Sequence, residues 1–253
     1  MTDAAATYAA AGPIVRSAFP TAIPASDYIA WTVSALDEYG LTPERTLPIL
    51  VTCRDEVLSD LKALVGGAWG LTFSGTSLGG AFTMGRTGFQ AAWRHIPEAE
   101  LPLRLAVFIF PHIGVDRDGT IGSIHRQGRA NASQACGAII SMHQEFKSGA
   151  TDLSFDSSDP EMSLLRQGVA PYLLGRPVPD LVALTEIVRD VAVMDLLKTG
   201  VANAGEVADL ALFSGILING PDETSWVLPD LANLRHHDDS ELVTLVPPNS
   251  GGS

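Results

Sequence analysis

Cysteine is scarce in this chain of 253 residues, with Cys53 and Cys136 the only two. Two thiols cannot build the disulfide framework of a small secreted domain. The opening residues, MTDAAATYAAAGPIVRSAFP, lack the basic and apolar regions of a signal peptide. A reducing, cytoplasmic setting is therefore expected, where thiols serve metals or chemistry more often than disulfides. Basic residues are also few: 16 Lys and Arg against 29 Asp and Glu, a net charge of −13. That imbalance argues against nucleic acid and against anionic membranes as partners. No apolar run approaches the roughly 20 residues of a membrane span, and no internal repeat is visible. Disorder is excluded from the other side, because 46% of residues are hydrophobic and only 18% charged.

The length suits one sizeable domain, read as residues 1–246 with 1–25 as an N-terminal extension. The closing PPNSGGS, 247–253, reads as a flexible tail. Residues 27–40 predict a helix capped by Ser26 or Asp27 and stopped by Gly40. LPILVTC, at 47–53, is an apolar run of strand length. Asp55 then opens a helix expected to end at Gly66. WGLTFSG suggests a strand, TGFQAAWRHIP a helix, and LPLRLAVFIFPHIGV a long strand closing at Pro111-His112. DRDGTIGSIHR reads as a turn and a short strand. Ser133 is a candidate cap for a helix over ASQACGAIISMHQEF, residues 160–200 are mostly helical, and ADLALFSGILIN is a strand that SWVLPDL can pair with. Strands alternating with helices predict an α/β fold: a mixed, largely parallel sheet flanked by helices.

In such sheets, ligands gather at the C-terminal ends of strands and at helix N-termini. Cys53 ends one predicted strand, His112 ends another, and Cys136 falls in the first turn of a predicted helix, whose dipole favours a thiolate. Two thiolates and an imidazole suit zinc, and three protein ligands leave a fourth tetrahedral position for water, the pattern of a catalytic site. The residues alone leave other readings open. The cysteines can be small core residues or a redox pair, and His112 a core histidine satisfied by backbone.

TCRDE, FPHIGVDRDGTIG and SQACGAI, with the candidate ligands 59 and then 24 residues apart, resemble the limiting-carbon-dioxide-inducible B family, the theta-class carbonic anhydrases. The likeness runs on through SGTSLGGAFTMGRTGFQAA and FSGILING, over residues of roughly 45 to 230. It implies a fold similar to β-class carbonic anhydrases, zinc held by Cys53, His112 and Cys136, and a homodimer. It also implies reversible hydration of carbon dioxide to bicarbonate and a proton, for which zinc lowers the pKa of bound water from about 15.7 to about 7. In β-class enzymes an aspartate two residues after the first cysteine accepts a hydrogen bond from the zinc-bound hydroxide, and an arginine two further on holds that aspartate. Here the aspartate is Asp55, but the further position is Val57. Arg54, Arg126 and Arg129 are the candidate partners, and Arg54 is the one selected. Without such a partner, Asp55 could itself ligate zinc in a closed site. Phe108, Phe110 and Ile113 could wall a pocket for carbon dioxide, or simply fill the core. The same ligands would also serve a non-catalytic bicarbonate sensor or a component of a carbon-concentrating assembly.

A rival reading starts from GTSLG at 75–79, which fits the G-x-S-x-G nucleophile elbow of α/β-hydrolases. Ser77, Asp209 and His236 occur in the chain order of such an esterase. Against it, GGAFTMGRTG is too broken by glycine to form the helix that must follow, and no HGGG-type oxyanion loop precedes it. His143 lies two helical turns beyond Cys136, about 10.5 Å by helix rise, and so cannot share its metal through that helix. His143 and His125 are surface histidines or proton shuttles, and His236-His237 a surface loop.

Overall fold

A computed structural model of the chain describes residues 4–97, 102–201, 208–238 and 242–248. Most of the proposed tail, residues 249–253, lies outside the described residues. Along the chain run α1 (Ala4–Ala18), β1 (Ile23–Pro24), α2 (Ala25–Asp37), β2 (Leu47–Thr52), α3 (Ser59–Trp69), β3 (Phe73–Ser74), α4 (Gly85–Trp93) and β4 (Leu103–Phe110). They are followed by β5 (His112–Gly114), β6 (Ser123–Ile124), β7 (Ser133–Gln134), α5 (Gly137–Ser148), α6 (Pro160–Leu173), α7 (Leu181–Leu196), β8 (Ala208–Asn219), β9 (Ser225–Arg235) and β10 (Leu242–Thr244).

The main sheet has the order β1-β9-β8-β4-β2-β3, with β10 added to β9 and β5 to β8. Pairings among β2, β3, β4, β5 and β8 are parallel, and those of β9 with β1, β8 and β10 are antiparallel. This is the mixed α/β sheet expected. Strands β2, β4 and β8 are continuous apolar runs because helices cover both faces. Leu50, Phe108 and Phe213 point to one side, where they meet Tyr28 of α2 and Trp69 of α3. Ile49, Val51, Val107 and Leu212 point to the other, against Phe89 of α4 and Ala192 of α7. Phe108 stacks on Phe213 with ring centroids 5.2 Å apart, and Phe110 meets Tyr28 edge to face. Among the described residues no helix is long and apolar enough to cross a membrane.

Local expectations shift where tertiary packing intervenes. Helix α2 begins at Ala25, behind Pro24, without a side-chain cap; Ser26 bonds to Asp27 instead. Asp55 caps a short 3-10 turn, Glu56–Leu58, by accepting from the Val57 N–H, and α3 follows. That helix runs past Gly66 to Trp69 and stops at Gly70, whose φ is +85°. Burial of Trp69 against Phe108, with its indole N–H donating to Thr32, carries the helix across two glycines that propensity alone would make its end. Ser133 caps nothing: it lies in β7, and α5 starts three residues later than the candidate cap predicts.

Candidate metal centre

Three chain segments meet at the C-terminal edge of the parallel strands. Cys53 follows β2 directly and bridges to Ser77. Thr52 donates its hydroxyl to the Phe110 carbonyl at 2.6 Å, tying the ends of β2 and β4 together. Pro111, lacking an N–H, ends β4, and β5 continues beyond it along the same neighbour, β8, in unbroken register, so that His112 faces Leu217. Cys136 occupies the N-cap of α5, one residue before the helix proper.

Within this frame one donor atom from each of Cys53, His112 and Cys136 lies within 4.8 Å of the others, and all three residues are buried. The two Sγ atoms are 3.5 Å apart. Tetrahedral zinc with Zn–S bonds near 2.3 Å would hold two sulfurs about 3.8 Å apart, so the pair needs little adjustment. Both cysteines are free, and the gap is well beyond a disulfide bond. Nδ1 of His112 lies 2.7 Å from Oδ1 of Asn219, while its buried Nε2 has no hydrogen-bond partner in the protein. A fully buried imidazole nitrogen left without a partner beside two thiols fits a metal ligand, because any other reason for leaving it so would be costly.

The thiols titrate as a pair. A hydrogen bond from Cys136 pulls the Cys53 thiol well below its ordinary value; burial opposes this and His112 assists it. Cys136 is pushed up by the same bond, by burial and by the charge on Cys53, although the N–H groups of Ala138 and Ile139 favour its thiolate. The N–H groups at the start of α5 thus favour a thiolate at Cys136, as a helix N-terminus should, but the bond to Cys53 and burial outweigh them.

Asp55 stands at the rim, with Oδ2 3.8 Å from His112 Nε2. Its partner corrects the choice of Arg54. Arg126 reaches Asp55 with one guanidinium nitrogen at 2.9 and 2.7 Å from the two carboxylate oxygens, and it also binds Glu56 and the Gln134 carbonyl. Burial raises the Asp55 carboxyl, yet Arg126, His112 and neighbouring donors outweigh it and hold the group below its ordinary value. Arg54 points the other way, out of the pocket, and clasps Glu161 of α6, as successive extended side chains must diverge. Glu161 in turn accepts from the Leu78 N–H at 2.9 Å, pinning the glycine-rich loop beside Cys53. Arg129 makes no contact with Asp55 among those described. A cavity of about 340 Å³ adjoins the cluster, lined by Val57, Ile124, His125, Arg126 and Asn219 among others. Phe108, Phe110 and Ile113 are not among its walls and are wholly buried in the core.

The rival triad is not assembled. Ser77 is buried and donates its hydroxyl to the Ala81 carbonyl within its own turn. Asp209 lies near the start of β8, at the far end of the sheet from Ser77, which bridges to Cys53 beyond the end of β2, and there it binds His237 and approaches His236. His143 bonds the Pro179 carbonyl, away from the thiols. His125, half-exposed, faces Asp116. Asn219 was read only as part of the strand ADLALFSGILIN and not as a site residue, because an asparagine at a strand end before Gly-Pro signals only a turn.

Among solved structures, PtLCIB4, a homolog of the limiting CO2-inducible protein LCIB, is 26% identical to this chain with a TM-score of 0.80, over 92% of this chain and 98% of its own. The limiting CO2-inducible protein LCIB is 25% identical with a TM-score of 0.73, over 91% and 96%. No curated protein matches. Residues 22–236 match the family of limiting CO2-inducible proteins B/C beta carbonic anhydrases, a span that takes in β1 through β9 and the whole thiol–imidazole cluster, and the chain belongs to that family.

Proposed function

We propose that this chain is a zinc-dependent carbonic anhydrase that reversibly hydrates carbon dioxide to bicarbonate and a proton. The observation that carries the reading is the buried Cys53–His112–Cys136 cluster with its unpartnered Nε2. Those three residues would hold the metal, which supplies a Lewis acid able to bring the pKa of a water near 7.

The remaining work falls to the protein. Arg126 keeps Asp55 ionised, and an ionised carboxylate is an acceptor only. Asp55 at the rim, 3.8 Å from Nε2, is thereby set to accept a hydrogen bond from a donor beside the ligands and to select its orientation. The Asp55 backbone cannot drift, since its side chain also caps the Glu56–Leu58 turn. Burial of both thiols and of the ring keeps bulk water from competing with a small apolar substrate.

Metal analysis of the purified protein, with stopped-flow hydration of carbon dioxide, tests this. About one zinc per chain with chelator-sensitive hydration is expected. Cys53→Ala and Cys136→Ala should each lose the metal, and His143→Ala should keep it. Zinc without hydration would leave a sensor role in place of catalysis, and zinc retained by either cysteine variant would refute the ligand assignment.

A further inference from the structure

Asn219 is the last residue of β8 and almost wholly buried. Its backbone carbonyl accepts from the Val115 N–H at 2.8 Å, and it faces Gly114 of β5 and Ser225 of β9, so the residue is held from both flanking strands. Its side-chain amide has two neighbours. Nδ2 lies 3.2 Å from the Val57 carbonyl, and Oδ1 lies 2.7 Å from His112 Nδ1.

These two contacts fix the direction of the hydrogen bonds that run through the amide. A peptide carbonyl can only accept, so the NH2 end of the amide must face Val57. That leaves Oδ1 toward the imidazole, and Oδ1 can also only accept. The proton of the neutral ring must then sit on Nδ1, which leaves the lone pair on Nε2, the nitrogen that faces the thiols. Val57 belongs to the turn that Asp55 caps. The same amide therefore links the ring to the carboxylate at the rim.

Resting on the metal reading above, we propose that Asn219 is a positioning residue that sets the tautomer and ring orientation of His112 for metal binding and couples them to the Asp55 turn. It acts through His112 and is not itself one of the candidate ligands. Partners of this kind typically contribute 10- to 100-fold in metal affinity.

The test needs no activity. In the wild-type protein after chelation, labelled with 15N-histidine, long-range 1H–15N spectra should show neutral His112 protonated at Nδ1. Asn219→Leu should mix the two tautomers and weaken zinc binding by about 10- to 100-fold in competition with a chromophoric chelator. Asn219→Asp, which still can only accept at neutral pH, should preserve the Nδ1–H form even if Asn219→Leu fails to fold. A wild-type ring protonated at Nε2, or unchanged zinc affinity and tautomer in Asn219→Leu, would overturn the proposal while leaving the metal site standing. A wild-type protein that takes up no zinc at all would instead overturn the metal reading, and this proposal with it.

Discussion

Arg126 shows how one side chain can hold a site together. It joins Asp55, Glu56, the Ser133 hydroxyl and the Gln134 carbonyl, so it links the turn after β2 to β7 just before Cys136. Arg126→Met would leave the partly buried Asp55 without its cation, at a cost of roughly 2–4 kcal/mol at neutral pH. The pH dependence has a definite sign. In the folded wild type the Asp55 carboxyl is held below its ordinary value. Its contribution is therefore complete above the unfolded value of about 3.9 and is lost as the pH falls through the folded one. Urea unfolding of both proteins across pH 3–7 should show the deficit of the variant narrowing in acid, without vanishing, because the Ser133 and Gln134 bonds stay broken. A deficit independent of pH would mean that the ion pair is not what Arg126 contributes. Cys53, His112 and Cys136 were legible as candidates from residue type and neighbouring pattern, and Asp55 from the family resemblance. The pairing of Asp55 was not, because Arg126 lies 71 residues away in sequence and nothing local distinguishes it from Arg54.

At the scale of elements, the loop after β3 matters more than its motif suggests. GTSLGG is no nucleophile elbow; its glycines let backbone approach backbone. Gly80 has φ +80°, and a Cβ there would lie 3.1 Å from the Pro111 Cα and 3.5 Å from the Cys53 N. Both neighbours are main chain at the points where the sequence delivers two of the three candidate ligands. Gly80→Ala should therefore destabilise the fold by about 2 kcal/mol, from the left-handed backbone together with the contact, as read by urea unfolding. It should also widen the separation between Cys53 and His112, weakening zinc binding in the same preparation. Wild-type stability with wild-type affinity would show that the loop yields freely. The elements themselves were mostly visible in the sequence, since β2, β4 and β8 are apolar runs of strand length. The ends were less so. Helix α3 continues through Gly66 and Gly67 because Trp69 has a place to dock.

For the whole molecule, the exposed apolar side chains are not evenly spread. Leu153, Phe155, Leu164, Tyr172 and Leu174 lie on or near α6 in the sequence, all substantially exposed. Gln167 of α6 donates to the Leu153 carbonyl, which brings the preceding loop against the same helix. Exposed apolar side chains brought together in this way mark interaction surfaces, so if the chain pairs with a second copy, as the family resemblance implies, this is the side expected to be covered. Sedimentation equilibrium should return twice the chain mass of 26.7 kDa, and Phe155→Asp with Leu164→Asp should shift the equilibrium toward monomer. A single-chain mass for the wild type at micromolar concentration would rule the dimer out.

The sequence by itself determined the class of fold and the chemistry available, because apolar period and run length act locally and because only two thiols exist to be used. The expectation that nucleic acid is a poor partner likewise rests on net charge, which needs no coordinates. Which arginine meets Asp55, that Asn219 holds the imidazole, and that Ser77 and Asp209 stand at opposite ends of the sheet emerge from the folded chain alone. Those are contacts between residues distant in the chain. They are set by strand order and by the register of each strand on its neighbour, neither of which any short stretch of sequence encodes.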